Sequence, residues 1–130
     1  MWLSKANHTY RVALHSSHLA VHFLTVDDEA VARVFGELTG DAADKFGMVE
    51  WSPGPEGTPL LAALPNRFVG RKVALLDVDH DHVCVVVSAD DASCAGGFQP
   101  MRLSDLGDLS PGHPAEERPV PEDSRDPRRQ

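Results

Sequence analysis

The chain has 130 residues, 42% of them hydrophobic, which is enough for one modest domain and too short for two. Its formal net charge of −8 argues against nucleic acid or an anionic membrane surface as the main partner. No apolar run is long enough to span a bilayer, the opening Met1-Trp2-Leu3-Ser4-Lys5 is no signal peptide, and Cys84 and Cys94 lack metal-type spacing, so the expected setting is the cytoplasm with both thiols free.

Trp2 and Leu3 lead into a polar run, after which a helical pattern extends to His15 and ends over 16–18. Asn7 and Thr9 are both suited to cap that helix, because each side-chain oxygen can accept from a free N–H of the first turn. The remaining N–H groups, at the positive end of the helix dipole beside Lys5 and Ser4, form an anion site for which phosphate is the natural guest. An ordinary capped strand-to-helix junction accounts for the same residues.

The stretch 19–25 alternates in the manner of a strand, with Leu19, Val21 and Phe23 on one face and Ala20, His22 and Leu24 on the other. Both faces are fairly apolar, so the strand is expected to be covered on both sides or to lie in a barrel wall. His22 is then a histidine facing a helix or a subunit interface. Residues 27–38 carry the best helical pattern: Asp27 as cap, Val26 stapled on Val31, an apolar stripe of Ala30, Val31, Val34, Phe35 and Leu38, and a stop at Gly40. A short helical turn over 41–46, a Pro/Gly loop over 52–57 and a short strand or turn over 59–63 follow.

Residues 68–77 and the Val-rich 82–88 read as an antiparallel hairpin that turns at Asp79-His80-Asp81. Histidines two apart with aspartates beside them raise a metal site, with His22 as a third ligand, but the tight spacing of a structural site is missing and no metal is expected. Residues 89–100 are expected to return along an edge, and 101–106 to form a last turn packed on the sheet. From Ser110 on, prolines alternate with charges and large apolar residues all but vanish. The expected organisation is therefore a domain over 1–108 and a disordered tail over 109–130.

The run Ser4-Lys5-Ala6-Asn7-His8-Thr9-Tyr10-Arg11-Val12-Ala13 resembles the segment that follows the central strand in flavin reductase-like proteins, the FMN-binding split barrels. Further matches follow in the same order: Leu19 to Leu24, Ala32 to Gly36, Asp44-Lys45-Phe46, Val49 to Gly54, Pro59-Leu60-Leu61 and Asp81-His82-Val83. The resemblance implies a mainly β, α+β domain: a partial FMN-binding split β-barrel with two or three short helices. Members carry several strands before this point, so an amino-terminally truncated or shortened domain is expected.

The same resemblance implies FMN as cofactor and NADH or NADPH as hydride donor. Ser4, Lys5, Asn7 and Thr9 would hold the phosphate or flavin edge. Lys45 and Phe46 fall in the segment that lies near the flavin, although Phe46 as a plain core anchor explains it equally. Relatives place a Gly-Asp-His turn against the reacting rings. Asp81-His82 fits that pattern, with Asp81 orienting His82 and His80 standing where relatives have glycine. The implied partners are a second copy in a homodimer and a monooxygenase component. The rival reading is a non-catalytic or vestigial flavin-binding or oligomerisation module, since an incomplete barrel exposes a strand edge and an apolar face that demand a partner.

Overall fold

In the computed structural model, which describes residues 1–38 and 43–110, the Val-rich hairpin is the centre of the molecule. The strands in chain order are β1 (Trp2–Ser4), β2 (His18–His22), β3 (Trp51–Pro53), β4 (Pro59–Leu61), β5 (Arg67–Leu76) and β6 (His82–Ser93). Two helices, α1 (His8–His15) and α2 (Glu29–Glu37), fall between β1 and β2 and between β2 and β3. A four-stranded antiparallel sheet in the order β1-β6-β5-β2 curls as a half-barrel, and β3 and β4 form a separate two-stranded ribbon. The expected mainly β, partial split-barrel architecture is therefore what the chain adopts.

Alternation along β6 puts Val83 and Val85 on the inner face, where both are fully buried. Leu3 stands opposite Val83, and Ala13, Leu61, Leu64, Val69 and Leu106 complete the buried apolar set among the described residues. The outer face of the same strands is apolar yet uncovered. Trp2, Cys84 and Leu76 lie side by side across β1, β6 and β5, and Trp2, Leu76 and Val86 are 65%, 53% and 40% exposed.

Helix α1 starts as its sequence implies: Asn7 is the cap, and its side chain accepts from the Thr9 N–H at 3.2 Å. Its far end is held from outside the helix. Lys72 of β5 donates to the Ala13 and Leu14 carbonyls at 2.8 and 3.1 Å, and the Ser16 hydroxyl donates to the Val12 carbonyl at 2.8 Å. A cation at this end also meets the negative pole of the helix dipole. Ala13 is fully buried, small enough for the helix to lie close to the sheet.

Three expectations are corrected. The N-cap position of the second helix is Asp28 rather than Asp27: its carbonyl accepts from the Ala32 N–H at 3.0 Å, while its carboxylate turns back to accept from the Thr25 N–H and hydroxyl, at 2.7 and 3.0 Å, and makes no capping bond to the helix. Strand β6 runs on through Ser93 in register with Arg67, so residues 89–93 extend the hairpin, and only at Pro100 does the chain pair with Thr25. The third is the short helical turn expected over 41–46; in the β5–β6 turn, Asp79 lies in the left-handed region (φ 64°). The short helical turn forms over Lys45–Met48, with the Asp44 carboxylate accepting from the Gly47 N–H. Gly40 and the tail over 111–130 lie outside the described residues. The last turn, Leu103–Leu106, buries Leu106 as expected. No helix among the described residues is long and apolar enough to cross a membrane.

Candidate functional site

The residues singled out in the sequence gather in two neighbouring places. The first is the junction where β1 ends. Ser4 pairs with His82, and the Lys5 N–H donates to the Asp81 carbonyl at 2.8 Å, so Ser4, Lys5, Asp81 and His82 sit together at one end of the sheet. His82 Nδ1 lies 3.0 Å from Asp81 Oδ1, a contact that fixes the ring and holds the Asp81 carboxyl below the usual carboxylate range. The Lys5 ammonium is bonded to Asp77 Oδ1 at 2.7 Å, and the Ser4 hydroxyl accepts from the Ala6 N–H.

The second place is an open cavity of about 680 Å³ lined by α1, β2, α2, the β3–β4 turn and β4, with Phe46 before the ribbon and Leu64 after it. From α1 it receives His8, Thr9, Val12 and His15, one face at helical spacing. From β2 come His18, Ala20 and His22, one face at strand spacing, joined by Leu19. Val31 and Phe35 of α2, together with Phe46, close the side opposite. Thr9 and Phe46 are the sequence-derived site residues that line it; Ser4, Lys5, Asn7, Lys45, Asp81 and His82 do not. The two places meet at the first turn of α1.

Phe46 belongs to an aromatic series that leads outward: its ring is 5.5 Å from Phe35 and 5.7 Å from Trp51, both edge-on. Lys45 turns away from the cavity, donating to the Phe35 carbonyl at 3.0 Å, and burial lowers its ammonium pKa. The opposite wall is tied by His22. Its Nε2 accepts from the Leu61 N–H at 3.1 Å, while Arg67, its partner across the sheet, donates to the Leu61 and Leu64 carbonyls at 3.1 and 3.3 Å. Burial, then the Arg67 charge, pushes the His22 pKa down, so the ring is neutral with Nε2 free to accept. Among the described residues no group of three or more His, Cys, Asp or Glu side chains could hold a metal ion.

Sequence reasoning missed the histidines at 8, 15 and 18 as cavity residues. The signal was there: His8, Thr9, Val12 and His15 follow a helix face, and His18 and His22 share a strand face.

The cavity is of the size that holds a small cofactor. Its apolar walls and the edges of Phe35 and Phe46 fit a flat heteroaromatic ring, and the capped start of α1 with the Thr9 hydroxyl fits a polar tail. A flavin meets that description.

Comparison with known proteins points the same way. The family described as flavin reductase like domain matches residues 1–105. No curated protein sequence matches the chain. Among solved structures, a flavin reductase domain protein from Arthrobacter is 19% identical, with 77% of this chain and 60% of that one covered and a TM-score of 0.67. An NADH:FAD oxidoreductase from Streptomyces globisporus is 22% identical, with 94% and 68% covered and a TM-score of 0.67. An FMN-binding protein from Thermus thermophilus is 18% identical, with 68% and 49% covered and a TM-score of 0.62. The chain thus spans 60% of the Arthrobacter protein's length and about half of the Thermus protein's.

Proposed function

The chain belongs to the flavin reductase like domain family, and we propose that it binds FMN and directs a hydride to it from NADH or NADPH. The observation that carries this reading is the largely apolar cavity whose lining includes both Thr9, in the first turn of α1, and Phe46. A bound flavin supplies the hydride acceptor at N5 and stores the two electrons.

The protein's own residues do the rest. Thr9 and the first turn of α1 meet the phosphate, with Lys5 behind them as a cation shared with Asp77. Phe35 and Phe46 hold the ring, and the aliphatic side chains keep water from it. Asp81 orients the His82 ring through the 3.0 Å contact with Nδ1, at the end of the sheet beside Lys5. None of these roles needs a nucleophile. The uncovered outer face at Trp2, Leu76 and Val86 favours a homodimer, and a monooxygenase component is the natural consumer of the reduced flavin.

A fluorescence titration of FMN and riboflavin tests the reading. FMN binds more tightly, because only it carries the charge that the helix start and Lys5 can meet. Lys5→Ala weakens FMN by about 1 kcal/mol, the low end for a charge-assisted contact since Asp77 already holds part of that charge, and leaves riboflavin little changed. Equal binding of the two flavins by the unaltered protein removes the phosphate site. Binding of neither favours the non-catalytic module instead.

A further inference from the structure

We infer that His15 and His18 are titratable cations of this cavity, so that it holds an anionic ligand more tightly as pH falls from 8 to 6; the inference rests on the reading just given. Among the described residues no lysine or arginine lines the cavity, and its one carboxylate is Glu56. Whatever positive charge the lining offers a ligand therefore comes from its four histidines, His8, His15, His18 and His22. Histidine is the residue type that gains its charge in this pH range.

Position separates the four. His22 Nε2 accepts from the Leu61 N–H at 3.1 Å and the residue faces Arg67 across the sheet, so a proton there breaks a hydrogen bond and meets a like charge. His8 opens α1, where the positive pole of the helix dipole opposes another cation. His15 and His18 stand at the other pole, on either side of Ser16 and Ser17. The last turn of α1 favours a cation at His15, although the Lys72 ammonium already sits on the Ala13 and Leu14 carbonyls. His18 has Arg71 opposite it in the sheet, offset by the Asp90 carboxylate 3.9 Å from Nε2. Its Nδ1 is 2.8 Å from the Ser17 hydroxyl, which can donate to that nitrogen or accept from it. A proton on His18 thus costs no hydrogen bond, in contrast to His22.

With both rings neutral the lining carries the single negative charge of Glu56; with both protonated its net charge is positive. In the reading above the FMN phosphate lies at the first turn of α1, and seven residues of helix put His15 about 10 Å from that turn. At such a range and about 10 mM ionic strength, one protonated ring strengthens the binding of a phosphate dianion about twofold, and two about fourfold. Near 1 M salt the screening length shrinks to about 3 Å and the gain disappears. Lysine stays charged throughout this pH range, so Lys5 adds no pH dependence. The ligand's own phosphate takes up a proton near pH 6, which acts in the opposite sense.

The test titrates FMN and riboflavin into the full-length protein by flavin fluorescence, at pH 8.0 and 6.0, in about 10 mM and about 1 M salt. Riboflavin has no phosphate and reports what acid does to the cavity itself, loss of the His22 bond included. The ratio of the two affinities therefore isolates the charge. It rises about fourfold toward FMN from pH 8.0 to 6.0 at low salt and stays level at high salt. The double variant His15→Gln, His18→Gln binds both flavins with a level ratio, whereas His8→Gln keeps the rise. His15→Lys, whose charge does not titrate in this range, raises the ratio about twofold at pH 8.0 and low salt. That variant decides the matter even if the double variant fails to fold, since an unchanged ratio overturns the inference. A wild-type ratio that favours FMN equally at both pH values overturns it too and leaves the parent reading standing, as does a rise that persists in the double variant. Equal binding of the two flavins at both pH values, or binding of neither, overturns the parent reading and this inference with it.

Discussion

Acidification acts on the cavity wall through His22. Protonating the ring converts Nε2 from acceptor to donor and leaves the Leu61 N–H, in a residue only 6% exposed, without its partner at 3.1 Å. It also sets a second positive charge across the sheet from Arg67. An unsatisfied buried N–H costs about 1–3 kcal/mol. The sign follows from the pKa: folding lowers it below the ordinary histidine value of 6.5, so the unfolded chain takes up the proton first as pH falls. The stability tied to the neutral ring is therefore complete above about pH 6.5 and is lost progressively below it, down through the folded-state pKa.

The perturbations are His22→Gln, whose amide oxygen can accept from Leu61 at any pH, and His22→Leu, which cannot accept at all. Urea unfolding followed by tryptophan emission, at pH 7.5 and 5.5, reads the result. At pH 7.5 His22→Leu is less stable than wild type by about 1–3 kcal/mol, a fall in Tm of about 4–8 °C for each kcal/mol. Between the two pH values wild type loses more stability than His22→Gln does. Parallel loss in the two proteins would refute the argument and assign the acid sensitivity to other groups.

Two more results follow from the packing. Lys72→Met removes the two ammonium hydrogen bonds to the carboxyl-terminal end of α1 and lowers stability by about 1–2 kcal/mol, read as an earlier thermal unfolding transition. Sedimentation of the full chain at micromolar concentration gives a dimer or larger species, and Trp2→Ser moves it toward monomer; a well-folded wild-type monomer would count against the exposed β1-β6-β5 face as a contact surface.

The elements legible in the sequence were those whose local signals agree with their packing. The Val-rich run at 83–87 and the Asn7 cap announce β6 and α1 directly. Ala89 to Ser93, a run of alanine, aspartate and serine, has little strand propensity of its own and is strand only because Arg67, Phe68 and Val69 pair with it. Asp27 and Asp28 are equivalent as letters. Asp28 takes the N-cap position while its carboxylate is held by Thr25, an arrangement the letters do not show.

The site divides in the same way. Thr9 and Phe46, named by resemblance, line the cavity; that Ser4 and Lys5 stand beside Asp81 and His82 is a product of the β1–β6 register and was not read from the sequence. The bonds of Leu61 to His22 and Arg67 join segments 39 and 6 residues apart in sequence, and no short-range pattern encodes such a meeting.

The two register shifts along the central hairpin, at Val69/Gly70 and Lys72/Ala74, carry a last consequence. The first leaves Asp90 of β6 without a partner and the second Val73 of β5, so each strand is bent once and the curl of the sheet is written into its own hydrogen-bond ladder. Gly70 secures the first shift by leaving no atom where a Cβ would meet the Ser88 carbonyl oxygen and Val87 Cγ1, each at 3.0 Å. Strand β2 pairs along that bent β5 and supplies His18, Ala20 and His22 to the cavity, so this part of the lining is set by the sheet before any guest enters.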